Sequence, residues 1–183
     1  MRALLDACVM FPTVMRQMLL GVAAQGGFEA RWSPRIEEEW ALAARKIGPG
    51  GEAQARGEIA MVRARFPEAR VTPDAGLEAR LWLPDPADIH VLAAAVACHA
   101  DVIITLNAKD FPRNILAEEG LSRADPDAFL LGHFEASPET VVPVAQNVLH
   151  EARRLSGEEW QMRALLKKAR LPRLAKALTR DEL

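Results

Sequence analysis

The chain is 183 residues long, 50% hydrophobic and 26% charged, with a formal net charge of -2. These figures exclude a disordered chain and fit one domain with room for an appendage, large enough to bury a core without disulfide or metal staples. Cys8 and Cys98 are too few for a secreted disulfide framework and lack zinc spacing, so they read as reduced thiols in a cytoplasmic protein; no apolar run spans a membrane and no signal-peptide pattern opens the chain.

In chain order, Arg2–Asp6 is a short apolar run ending in an acid, long enough for a buried strand and too short for a helix. Val14–Ala24 is apolar at helical spacing and stops before Gln25-Gly26-Gly27, a C-cap signal. Phe28–Trp32 reads as a second strand. Ser33 and Pro34 then supply N-cap and first-turn residues for a helix to about Lys46. Gly48-Pro49-Gly50-Gly51 is a loop, Glu52–Phe66 a helix, and Ala69–Thr72 a third strand. Asp85, Pro86 and Asp88 read as N-cap, N1 and N3 of a capping box opening a helix over Ala87–His99. Val102–Leu106 is β-branched and apolar on both faces, as in a central parallel strand. Past Pro126 the pattern is helical: Ala128–Phe134, Pro138–Leu155, and Glu158–Leu178 broken at Pro172. Helix followed at once by a two-faced strand predicts an α/β fold, with Ser137-Pro138 separating a body (1–136) from a helical extension (137–183).

The charge is uneven. Residues 1–150 hold 14 Lys and Arg against 20 Asp and Glu, whereas 151–183 hold 9 against 5. A basic tail is either a solvated helix face or a surface for a polyanion.

In an open parallel sheet, ligands bind at the carboxyl ends of the strands. Asp6 ends the first strand there, Asp110 follows the Val102–Leu106 strand, and Asp88 opens the helix leading into that strand. Glu37, Glu38 and Glu39 lie in the first turns of the helix after the second strand. Carboxylates meeting in one crevice repel unless cations bind, and oxygen ligands suit Mg²⁺ or Mn²⁺. Such a site suits metal-assisted phosphodiester hydrolysis. Each acid also has an ordinary role open to it: Asp85 as an N-cap, Asp88 and two of the three glutamates as dipole partners, Asp110 as a turn cap. Asp6 lacks one.

The segments Asp85–Ala95 and Ala100–Pro112, with Asp6 before them and Ser33–Trp40 between, resemble the PIN domain family, and the resemblance covers roughly residues 1–135. It implies a three-layer α/β fold with a central parallel sheet, followed here by a helical extension. It also implies a Mg²⁺- or Mn²⁺-dependent ribonuclease, most often the toxin of a bacterial toxin–antitoxin pair. Its acids fall on Asp6, on Glu39 (with Glu38 the alternative), on Asp88 and on Asp110, with Asp6, Asp88 and Asp110 as metal ligands. Many members carry an Asp where this chain has Asn107; Thr105 and Asn107 would then orient ligands or water. Lys109 and Arg113 would either contact phosphate or be solvated. The implied partners are an RNA substrate, an antitoxin and a second copy of the chain, with no membrane; the basic tail would meet RNA or an antitoxin segment.

Other readings lack their residues. A haloacid-dehalogenase-like phosphatase needs a second Asp where Cys8 stands. Gly48–Ala53 matches a dinucleotide-binding motif by letters but follows a helical segment and contains Pro49. His90 and His99 are too far apart for a metal pair, and the four tryptophans read as core or dimer anchors. The alternative from another class is a non-catalytic PIN-like module that binds RNA or protein.

Overall fold

In the computed structural model, which describes residues 1–180, four short strands form one parallel sheet in the order β2-β1-β3-β4. They are β1 (Arg2–Leu5), β2 (Glu29–Arg31), β3 (Val102–Ile104) and β4 (Ser122–Ala124). The central pair is dry: Ala3, Leu4, Leu5, Ile103 and Ile104 are fully buried, as expected of parallel strands covered on both faces. Leu4 pairs with Ile103 and Leu5 with Ile104, so both strands end level. The expected α/β fold, a parallel sheet flanked by helices, is the one observed.

Contacts divide the chain into two units, Met1–Phe11 with Glu29–Ala124, and Pro12–Phe28 with the chain from Asp125 onward. The first holds the sheet with α1 (Ala7–Met10), α3 (Pro34–Ala43), α4 (Gly51–Arg65), α5 (Ala75–Arg80), α6 (Ile89–Ala97) and α7 (Arg113–Glu118). Ser33 caps α3 through Oγ, accepting from Ile36 N at 3.2 Å, with Pro34 in the first turn. Helix α6 packs on β1 and β3, and α7 on β4.

Two sequence expectations change here. The strand at Ala69–Thr72 is a single bridge, Arg70 to Trp32. Trp32 N donates to Ala69 O and Val71 N to Trp32 O, but the next donors along each strand are Pro34 and Pro73, which have no N–H. The capping box does not close either: Asp85 accepts from Ala87 N at 2.9 Å and opens a 3-10 turn, Pro86–Asp88, while Asp88 makes no reciprocal bond to Asp85 N among the described residues. The Asp88 carboxylate is left for other neighbours.

The second unit is helical: α2 (Thr13–Ala24), α8 (Pro126–Ala136), α9 (Pro138–Ser156), α10 (Met162–Lys168) and α11 (Pro172–Leu178). The amphipathic stripe of α9 buries Val141, Val144, Ala145 and Val148. Gly21 of α2 lies where a Cβ would come within 2.3 Å of Val144 Cγ1, so the two helices touch backbone to side chain. The expected helix at Glu158–Leu178 begins only at Met162, because Gly157 turns left-handed and ends α9. No described helix is long and apolar enough to cross a membrane.

Helix α11 has no cap from its own N-terminal residue. Instead the buried carboxylate of Asp127, on α8, accepts from Arg173 N at 2.8 Å and Leu174 N at 2.9 Å. Asp127→Ala removes two charge-assisted bonds and strands two backbone donors. We expect it to lower stability by about 2–4 kcal/mol in urea unfolding, with far-UV helicity lost first in the second unit.

Candidate metal centre

The level ends of β1 and β3 bring out Asp6 and Thr105 side by side. Asp6 caps α1, with Oδ1 accepting from Ala7 N at 2.7 Å. Its Oδ2 accepts the Thr105 hydroxyl at 2.7 Å and the Cys8 thiol at 3.1 Å. Asp6 and Thr105 are both buried. Burial and the Asp6 charge push the Cys8 thiol up to about 12, so it stays S–H and is no thiolate nucleophile. Thr105 Oγ1 also accepts from Asn107 N at 2.9 Å, shaping the turn after β3, and Asn107 Nδ2 donates to Asp110 Oδ2. One side chain thus orients Asp6, and the next polar one holds Asp110.

Asp88 joins this group from the 3-10 turn. Asp85, Asp88 and Asp110 each offer a carboxylate oxygen within 4.8 Å of the others, a geometry that could hold one ion. Burial raises the Asp88 carboxyl to about 6, helped by the charges of Asp6, Asp85, Asp110 and Glu39. Four other acids therefore act on Asp88. The donors are carboxylate oxygens, and the repulsion among them is the cost that a hard divalent cation removes.

The acidic run on α3 splits three ways. Glu37 is buried and accepts from Trp32 Nε1 (2.9 Å), Arg63 Nε (3.0 Å) and Arg70 Nε (3.2 Å). Burial opposes its charge, but Arg63, Trp32 and Arg70 outweigh burial and hold its carboxyl below the usual range. The solvated role open to it in the sequence is therefore replaced by a buried ion cluster. Glu38 is exposed and accepts from both terminal nitrogens of the Arg56 guanidinium, at 2.8 and 2.9 Å, which lowers its carboxyl. Glu39 adds its charge to those that raise the Asp88 carboxyl. Its Oε1 lies 2.7 Å from Nε2 of buried His90, off the line of a hydrogen bond.

Lys109 and Arg113 are exposed on either side of buried Phe111. Trp32 and Trp40 are core residues, whereas Trp82 is 64% exposed. Gly48–Gly51 joins a 3-10 turn to α4, with no strand before it. From the sequence Asp85 reads as a cap and Cys8 as a reduced thiol, and neither reads as part of the site. The i,i+3 spacing of Asp85 and Asp88 was the available signal for the first; nothing in the sequence marked the second.

A family model described as PIN domain matches residues 2–109, more than half of the chain. The match takes in Asp6, Glu39, Asp85, Asp88, Thr105 and Asn107 and stops one residue short of Asp110. Comparisons with curated proteins and with solved structures find no match.

The raised Asp88 carboxyl has a thermodynamic sign. Without metal, the folded state keeps the Asp88 proton that the unfolded chain has lost, so this group's contribution to stability falls as pH rises from about 4 to about 6 and stays lost above. Asp88→Asn is therefore expected to raise the melting temperature of the EDTA-treated protein at pH 7, with the gain shrinking toward zero by pH 4. A gain independent of pH would show that the charge of Asp88 is not what destabilises the apo fold.

Proposed function

The chain belongs to the PIN domain family, and from that premise we propose that it is a Mg²⁺- or Mn²⁺-dependent endoribonuclease. The observation that carries the reading is the concentration of negative charge on Asp88 by Asp6, Asp85, Asp110 and Glu39 at the carboxyl end of the sheet. A fold holds such a cluster at a cost, which a bound cation would relieve. When bound, the cation would supply charge neutralisation at a phosphodiester and a water acidic enough to attack it.

The chain's own residues have separate tasks. Asp88 and Asp110 would hold the metal together with Asp85, the third carboxylate within reach of both. Asp6, which lies outside that set, would join as a ligand by family resemblance, and Glu39 would complete the acidic set. Thr105 and Asn107 would keep Asp6 and Asp110 aimed by the hydrogen bonds they already make. Lys109 and Arg113 would meet phosphates flanking the scissile one. By family resemblance the protein acts as the toxin of a type II toxin–antitoxin pair in the cytoplasm, as a homodimer, with the antitoxin as protein partner.

Purified protein is expected to cut a structured RNA pool with Mg²⁺ or Mn²⁺, and not with EDTA. Asp88→Asn should lower the rate by more than about 100-fold, and titration calorimetry should show Mn²⁺ binding in wild type and none in the variant. Neither cleavage nor Mn²⁺ binding in wild type would favour the non-catalytic module.

A further inference from the structure

From Met162 to Thr179 the second unit ends in two seven-residue helices, α10 and α11, packed against each other. All the large apolar side chains of their contact are inside: Leu165, Leu166, Leu171 and Leu174 are at most 4% exposed. What the hairpin shows to solvent is cationic. Arg163, Lys167, Arg170, Arg173, Lys176 and Arg180 are exposed, Lys168 lies over the Trp160 ring at 4.7 Å, and residues 160–180 contain no Asp or Glu.

Most exposed arginines elsewhere carry an acidic partner, Arg65 and Arg113 being exceptions among the described residues. Arg56, Arg80 and Arg154 are each paired with glutamates of their own unit at 2.7–2.9 Å. Among the described residues, none of the six on the hairpin forms an ion pair. Unneutralised positive charge on a chain of net charge -2 gives this surface a local field that attracts polyanions.

The turn between the helices adds an independent observation. Helix α10 ends in a pair of bonds, Leu171 N to Leu166 O at 2.9 Å and Arg170 N to Lys167 O at 3.1 Å, that requires a left-handed residue at position 170. The same pair of bonds ends α2 and α7, where the left-handed residues are Gly26 and Gly120, and α6, where it is His99 with φ of 52°. Here it is Arg170, with φ of 61°. A Cβ in that region is strained at Arg170 as it is at His99, and at Arg170 the residue so held presents an exposed guanidinium at the tip of the hairpin.

We propose that the α10–α11 hairpin binds the sugar-phosphate backbone of RNA, without regard to sequence, as a handle separate from the acidic centre. The row of exposed cations on both helices suits phosphate contact. An acidic segment with apolar side chains would anchor instead in the apolar cavity lined by Val14, Leu155, Trp160, Leu165 and Ala169, an outcome the test below separates. The choice of RNA over other phosphate polymers rests on the nuclease reading; the surface itself does not.

The test is fluorescence anisotropy of a labelled 20-nucleotide RNA with full-length protein in EDTA, where nothing is cut, across 50–300 mM salt. The comparison is with Arg163→Gln/Lys167→Gln/Arg173→Gln/Lys176→Gln, positions that are exposed and unpaired. Each lost phosphate contact should cost about 5-fold at 0.1 M salt and flatten the log K against log salt slope by about 0.7, so the variant should bind more than about 10-fold more weakly. Mn²⁺ calorimetry and circular dichroism should be unchanged in it. Arg170→Gly should raise the melting temperature while weakening RNA binding, which a merely structural residue would not do. Equal affinity and slope in the fourfold variant overturn the proposal. So does an acidic helical peptide that binds this surface more tightly than the RNA. Failure of cleavage with Mn²⁺ would touch only the nuclease reading, because this binding is read without metal.

Discussion

The register between β1 and β3 governs the candidate site. Because Leu5 pairs with Ile104, the next residue of each strand, Asp6 and Thr105, leaves the sheet beside the other. The Thr105 hydroxyl is then within 2.7 Å of the Asp6 carboxylate. A slip of one residue would turn every side chain of one strand to the opposite face and bury the acid in the apolar layer. The dry interior of the pair, Leu4, Leu5, Ile103 and Ile104, excludes that slip. Hydrophobic burial in the strands thus sets the position of charge beyond them.

The remaining acids are sorted by where cations are supplied. Glu37 and Glu38 are answered by arginines of α4 and of the loop after it, and become structural. Asp88, Asp85 and Asp110 are met chiefly by one another, with Asn107 as a neutral donor to Asp110. The fold therefore neutralises carboxylates on one side of α3 and concentrates them on another. A chain that leaves like charges together, when arginines are in reach of neighbouring residues, retains electrostatic strain at that place.

The second unit carries the opposite imbalance. Its hairpin is ordered by apolar contact and by Asp127 capping α11, so none of its surface cations is needed to hold it. Arg170 occupies a backbone conformation that Gly26 and Gly120 occupy elsewhere without strain. Acidic and basic surfaces thus reside in different units of one chain, and the near-neutral net charge conceals both.

Local patterns in the chain specify the two-faced strand Val102–Ile104, the caps at Ser33 and Asp85, the helical stripe of α9 and the α/β order, because each depends on neighbours within about one turn or one strand. They also place Asp6, Asp88 and Asp110 at element ends, where acids in such a sheet have chemistry open to them. They do not reveal β4, whose Ser-Arg-Ala has no apolar alternation and becomes a strand only by pairing with β3, nor the four-residue α1 beneath Asp6. Tertiary contacts reveal that Glu37 and Glu38 are taken by arginines 18 to 33 residues away, a sorting of the acidic run that no local pattern carries. For Cys8 and Asp85 one carboxylate neighbour each, Asp6 and Asp88, is local, but the groups that complete each cluster, Thr105 beside Cys8 and Asp110 beside Asp85, come from distant stretches of chain and leave no local pattern to read.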